Sequence, residues 1–85
     1  VSDVVFSMDE SLREAAMRVS SKLRSTGRTV DLVLEPKRMK WVFKHAERTG
    51  AERLVMLMPD EWSSGRVKIK DLETGDEMDV DFETL

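Results

Sequence analysis

Five consecutive apolar residues, Leu54–Met58, occur without a polar interruption in the second half of this chain. A strand with one face in water alternates apolar and polar residues, whereas a strand that is buried on both faces does not. The run therefore predicts a central strand of a parallel sheet, with other elements covering both of its faces.

Other segments have the patterns of strands, helices and turns. Strands are predicted at Asp3–Ser7, Thr29–Leu34, Val67–Lys70 and Met78–Phe82. Helices are predicted before Gly27 and between Pro36 and Gly50. The first helix begins either at a Ser11–Glu14 capping box or with Asp9 as the N-cap. A loop is predicted over Pro59–Gly65, and Phe82–Leu85 is predicted to begin a last helix.

These elements follow the order β-α-β-α-β-β-β. Right-handed crossovers place the first strand between the second and the third, with one helix on each face of the sheet. The terminal hairpin then extends the sheet beyond the third strand. The predicted fold class is therefore α/β, a three-layer α/β/α arrangement with a mixed five-stranded sheet. Residues 1–85 form a single domain in this prediction, and because the first residue is Val1 we expect it to be excised from a longer chain.

The second predicted helix carries cations on the side that does not face a core. Helical spacing places Lys37, Lys40, Trp41, Lys44 and Arg48 on one stripe and the apolar residues on another. The chain has a formal net charge of −3, yet residues 36–65 contain six basic and four acidic side chains. Basic residues around an indole are typical of an RNA-facing helix. The alternative is a solvated face whose charges keep the domain soluble.

Chemistry of other kinds has little support in the sequence. His45 has no identifiable catalytic partner, and one histidine without cysteine does not make a usual zinc site. We therefore expect no catalytic residue, no metal and no cofactor in these residues. No apolar run approaches the length of a membrane span, so no membrane partner is expected.

Two further residues have the chemistry to read bases. Glu61 follows the third strand, where its carboxylate could accept a hydrogen bond from an exocyclic amine. Lys70 lies near the end of the fourth strand and could donate to a base carbonyl or to a phosphate. The alternative is an exposed loop acid and a solvent-side lysine. Trp62 is expected to pack over the hairpin, which leaves Trp41 as the better stacking surface.

An ordered series of short motifs is similar to a known family. The motifs are Leu23-Arg24-x-x-Gly27, Lys40-x-x-x-Lys44-His45-Ala46-x-x-x-Gly50-Ala51, Asp60-Glu61 and Gly65-x-Val67-x-Ile69-Lys70-Asp71-Leu72-x-Thr74-Gly75-Asp76. Together they resemble the C-terminal anticodon-binding domain of class II aminoacyl-tRNA synthetases, and the last motif looks most like the histidine enzyme. The stretch Leu32–Lys37 with Lys40 and Trp41 is similar to organellar or bacterial-type histidine enzymes of plants and algae.

The resemblance implies a module that binds the anticodon stem-loop of tRNA. Base contacts would then come from Glu61 and Lys70. Backbone contacts and stacking would come from Lys37, Arg38, Lys40, Lys44 and Trp41. Catalysis, with ATP and magnesium, would belong to a separate domain of a histidine–tRNA ligase. The parent is expected to be a homodimer and the isolated domain a monomer, in the cytoplasm or in a plastid or mitochondrion.

Two alternatives remain at this stage. A synthetase-like module of the stress-kinase type would serve in RNA or ribosome contact or in dimerisation. A small-ligand domain would use the crevice at the ends of the first and third strands. The segment Ser7–Glu10 has two acids and no glycine, which disfavours a phosphate ligand there.

Overall fold

The strands of this protein form a mixed sheet in the computed structural model, which describes residues 2–7, 9–33 and 38–85. The strands of the described residues are β1 (Asp3–Ser7), β2 (Val30–Val33), β3 (Arg53–Leu57), β4 (Arg66–Asp71) and β5 (Glu77–Asp81). Their spatial order is β2-β1-β3-β4-β5. β1 runs parallel to both β2 and β3, and β4 is antiparallel to β3 and to β5. The predicted strand order and the added hairpin are confirmed.

The apolar run lies at the centre of the sheet, as predicted. β3 begins one residue earlier than the run, at Arg53, and ends at Leu57. Leu54 and Met56 belong to the core on one face, whereas Val55 and Leu57 belong to the core on the other. A strand that contributes to both cores has no solvent side, which is why its sequence does not alternate.

Two helices cover the opposite faces of the sheet. α1 (Arg13–Ser25) packs on one face, and α2 (Met39–Thr49) packs on the other. The buried residues of α1 recur at helical spacing: Ala15, Ala16, Val19, Ser20 and Leu23. Those of α2 are Val42 and Ala46. The three-layer α/β/α prediction is therefore confirmed.

The chain enters α1 differently from the capping-box prediction. A short 3₁₀ turn, Glu10–Leu12, precedes α1, and Asp9 is its N-cap. The Ser11 backbone N–H donates to Asp9 Oδ1 at 3.0 Å. Ser11 therefore lies inside the turn, and the capping box was wrong. Asp9 caps the 3₁₀ turn that leads into α1, whereas the N-cap residue of α1 itself is Leu12, which makes no side-chain capping hydrogen bond.

The structure also differs from the prediction in the segment after β3. The predicted loop contains a short helix, α3 (Pro59–Ser63), with Pro59 in its first turn. Proline is tolerated there because the first backbone N–H groups of a helix have no partner within the helix. At the other end of the chain, Phe82–Thr84 form a single 3₁₀ turn instead of a longer helix.

Candidate nucleic-acid interface

The cations of α2 lie on the solvent side of that helix. Lys40 and Lys44 are exposed, and Arg38, which precedes the helix, is exposed as well. Val42 and Ala46, on the opposite side of the helix, are fully buried. This arrangement agrees with the predicted basic stripe, although Lys37 lies outside the described residues.

Trp41 lies on the flank of α2 that faces β2. The residue is 40% exposed, and its ring stacks on His45 with centroids 4.9 Å apart and an interplanar angle of 8°. His45 in turn contacts the Asp31 carboxylate of β2 through Nε2. One face of the indole is therefore covered by an imidazole, and His45 has partners that sequence reasoning did not identify.

Glu61, in the first turn of α3, lies beside Lys68 of β4. The Lys68 Nζ is 3.7 Å from Glu61 Oε1, and about a quarter of each side chain is exposed. This separation suits an ion pair but is too long for a hydrogen bond. The carboxylate and the ammonium of this pair can therefore each form hydrogen bonds with another group.

Lys70 reaches back toward α2. Its Nζ lies 4.9 Å from the centroid of the half-buried Phe43 ring, which is within cation–π range. Lys68 and Lys70 pair in register with Met56 and Leu54, whose side chains point to the α2 side of the sheet. Both lysines therefore lie on the face that carries α2.

We call Phe43, Glu61, Lys68 and Lys70 the α2–β4 cluster. It joins α2, α3 and β4 on one side of the sheet. Sequence reasoning found Glu61 and Lys70 but missed Lys68 and Phe43. Alternation along β4 does place Lys68 on the same side as Lys70. Its pairing with Glu61 follows from the position of α3, which the sequence did not predict.

The predicted site residues do not form one constellation. Trp41 and Phe43 are two positions apart on α2, so their side chains leave the helix on opposite flanks. Phe43 faces β4 and Lys70, whereas Trp41 faces His45 and β2. The exposed lysines of α2 lie on the solvent side between these flanks.

A different charged network lies at the other end of the sheet. The Asp3 side chain is fully buried, and Arg53 donates to both of its oxygens at 2.8 and 3.0 Å. Arg28 donates to Asp3 at 2.7 Å and to Glu52 at 3.2 Å. Burial raises the pKa of Asp3, but the hydrogen bonds and charges of Arg53 and Arg28 outweigh it and hold the pKa below its usual value.

These arginines also line a cleft of about 490 Å³. The other charged side chains of its lining are acidic: Glu47, Glu52, Asp71 and Glu73. Asp3 and Arg53 begin their strands, whereas Glu61 follows the end of β3, so the cleft and the α2–β4 cluster lie toward opposite ends of the sheet. The excess of acids makes this end the less favourable one for a polyanion.

Other kinds of site find little support in the described ranges. Within them, no three His, Asp or Glu side chains come together in a way that could hold a metal ion. Of the helices in these ranges, none is both long and apolar enough to cross a bilayer. Trp62, as predicted, is a packing residue, and its ring meets that of Phe82 edge to face at 5.4 Å.

Comparison with known proteins matches residues 3–85 to a family model described as the anticodon binding domain. The chain is 45% identical over its whole length to the chloroplastic/mitochondrial histidine–tRNA ligase of Arabidopsis thaliana, and covers 18% of it. It is 31% identical over 81 residues to histidine–tRNA ligase of Bacillus velezensis, covering 95% of this chain and 19% of that protein.

A solved structure gives the same result for the fold. Histidyl-tRNA synthetase from Nostoc sp. PCC 7120 matches the whole chain and 20% of its own, with a TM-score of 0.94 and 27% identity. The chain thus spans about a fifth of the length of these relatives.

Proposed function

This chain belongs to the anticodon binding domain family, and we propose that it is the anticodon-recognition module of a histidine–tRNA ligase. The module binds the anticodon stem-loop so that a separate domain of the parent can charge the tRNA. The observation that carries the proposal is the placement of the exposed lysines of α2 on the same side of the sheet as Glu61 and Lys70. The identity to histidine–tRNA ligases over the whole chain supports it.

The proposed roles follow the chemistry of each side chain. Cations bind the RNA backbone, a contact that carries little sequence information; they are Lys37, Arg38, Lys40 and Lys44. Glu61 and Lys70 contact bases of the anticodon loop. Trp41 stacks on an unpaired base with the part of its ring that His45 leaves exposed.

Catalysis would belong to the rest of the parent protein. ATP and magnesium would bind in its catalytic domain, and no residue of this module takes part in catalysis. We also propose a homodimeric parent, a monomeric isolated module and an organellar location, the last supported by the chloroplastic/mitochondrial Arabidopsis relative. The stress-kinase alternative is not favoured, because the Arabidopsis and Bacillus relatives named above are histidine–tRNA ligases.

The test is an NMR titration at low salt with a histidine anticodon stem-loop and with the same stem carrying a scrambled anticodon. Chemical shift changes are expected in residues 36–44, 59–62 and 68–70. They should be larger for the histidine loop, because base contacts add to electrostatic attraction only when the bases match. Equal and weak shifts for both loops would overturn anticodon reading.

A pair of charge reversals separates a local contact from bulk charge. Lys44→Glu should weaken stem-loop binding about tenfold and reduce its salt dependence, since one phosphate contact is lost. Arg13→Glu changes the net charge equally, but Arg13 is exposed on α1, on the other face of the sheet. It should leave the affinity within about twofold. Similar losses in the two variants would indicate non-specific attraction.

A further inference from the structure

Asp31 is an acid among the apolar residues of β2. Val30 and Leu32 pack against the core under α1, and Val33 is buried in the core under α2. Alternation along the strand therefore points Asp31 to the α2 side, which is covered by a helix and normally carries apolar side chains. A partly buried carboxylate in this position needs a polar partner, and His45 of α2 is that partner.

The contact between these two residues fixes the orientation of the imidazole. A carboxylate only accepts hydrogen bonds, so the Nε2–H group of His45 donates to Asp31 Oδ2. Only 22% of the His45 side chain is exposed. The ring is therefore held at two points, by its own helix and by a carboxylate of the edge strand β2.

Trp41 lies against this fixed imidazole. The two residues are one helical turn apart, which makes their side chains neighbours but leaves an exposed tryptophan several rotamers. The parallel stack observed here corresponds to one of them. Trp41 nevertheless remains 40% exposed, so its indole is both fixed in orientation and accessible to a ligand.

We propose that Asp31 and His45 are positioning residues that hold the Trp41 indole in place for stacking on an unpaired base of the anticodon loop. The exposed Lys40 and Lys44 precede and follow that indole on α2. A stacking surface that is ordered before binding loses less side-chain entropy when the base arrives. The inference rests on the proposed function and adds Asp31 and His45 to the residues of that site.

The test measures how much one base contributes to binding. In the histidine anticodon stem-loop, each loop nucleotide in turn is replaced by an abasic site, and affinities are measured by fluorescence anisotropy at constant salt. At one position, removal of the base should weaken binding to the wild-type domain about tenfold and should have little effect on binding to Trp41→Ala. That position identifies the stacked base.

Variants of the positioning residues are compared at that position. In His45→Ala and in Asp31→Ala, the contribution of the base should fall from about tenfold to about threefold, because the indole must now be ordered on binding. Asp31→Asn should keep the full contribution, since its amide oxygen still accepts the hydrogen bond from Nε2. The abasic loop is the reference within each variant, which cancels the effect of a changed net charge.

The matched control removes another side chain that joins a helix to β2. Arg24 of α1 donates through Nη2 to the Val30 carbonyl at 3.3 Å. Arg24→Ala should keep the full contribution of the stacked base, because a contact that only stabilises the fold does not change this ratio. Amide NMR spectra of each variant check that the fold is retained.

Fluorescence gives a second measurement, without RNA. In a Trp62→Phe background Trp41 is the only tryptophan of the chain. Quenching of its fluorescence by acrylamide should increase in Asp31→Ala, because the released imidazole no longer covers one face of the indole. It should not increase in Arg24→Ala. Equal quenching in Asp31→Ala and in the parent background would contradict the role of Asp31.

The outcomes separate this inference from the proposed function. The base can contribute as much to binding in His45→Ala as in wild type, or more because a second face of the indole has opened. In either case the positioning role is wrong and anticodon recognition stands. Equal losses in Trp41→Ala and wild type at every abasic position would also contradict it. If the wild-type domain does not prefer the histidine loop over a scrambled loop, both proposals fail.

Discussion

Asp3 is a fully buried carboxylate held between two arginines that reach the surface. Arg53 comes from the start of β3, and Arg28 from the segment between α1 and β2. The carboxylate therefore ties three separate parts of the chain together at one end of the sheet. The hydrogen bond to Asp3 raises the pKa of Arg28, so this arginine is charged at neutral pH.

Asp3→Asn should destabilise the domain by about 2 kcal/mol at pH 7. This is less than the loss at a fully buried pair, because both arginines are partly exposed. The free energy of unfolding of each protein is measured by urea denaturation. Asp76→Asn is the control; it is exposed in the turn between β4 and β5 and should change stability by less than about 0.5 kcal/mol.

The effect of Asp3→Asn depends on pH in a defined direction. Because the folded pKa of Asp3 is lowered, its contribution is fully present above the unfolded value of about 3.9. It is lost as the pH falls through the folded pKa. The difference in the free energy of unfolding between wild type and Asp3→Asn should therefore be constant from pH 7 to about pH 5 and shrink below about pH 4. A difference that grows in acid would contradict the role of Asp3.

At the scale of elements, α2 packs on the sheet and also contacts β2 and β4. Its buried side packs on the sheet, one flank contacts β2 through His45, and the other contacts β4 through Phe43. Its solvent side carries the exposed Lys40 and Lys44. The position of α2 relative to β4 therefore decides whether Phe43 and Lys70 meet. That position depends on where the helix ends and the chain turns into β3.

The residue that ends α2 is Gly50, which has φ 70° and ψ 29°. Gly50→Ala should destabilise the domain by about 1 kcal/mol, because an L side chain is strained in this region. A Cβ atom would meet nothing within 4 Å, so the cost is conformational and not steric. Gly50→Asn should cost less, since asparagine tolerates this conformation better. Thermal unfolding of the two variants gives the ranking, and an equal or reversed order would contradict it.

α3 illustrates why an element can escape sequence reasoning. It spans five residues, Pro59–Ser63, which is too short for helical periodicity to be read. Pro59 is compatible with a loop and with the first turn of a helix, so it does not distinguish the two. This short helix nevertheless decides where Glu61 lies.

At the scale of the whole molecule, the two faces of the sheet share their strands. β1 and β3 contribute to the core under α1 and to the core under α2. The Cα radius of gyration is 11.5 Å, close to the value of about 12 Å expected for a compact domain of this length. One face therefore cannot lose its packing without disturbing the other.

The domain should unfold in one cooperative transition. Trp62 packs in the core on the α1 side, and Trp41 lies on α2, so each reports on one face. In urea, fluorescence of Trp41→Phe and of Trp62→Phe should each follow the far-UV circular dichroism of the same variant. The free energy of unfolding should fall by about 1 kcal/mol per M of urea. Within either variant, separate fluorescence and circular dichroism midpoints would indicate that the faces unfold independently.

Local pattern by itself determined the strands, the two long helices, their order and the solvent side of α2. These follow from alternation, helical spacing and the handedness of crossovers, which act within or between neighbouring segments. Glu61 and Lys70 were also identified from their places along the chain. The partners of these and other side chains were decided by the tertiary structure: Lys68 for Glu61, Phe43 for Lys70, Asp31 for His45, and Arg28 with Arg53 for Asp3. Such pairs depend on strand register and on the placement of a helix to within a few ångströms, and the identities of the residues alone do not specify that distance.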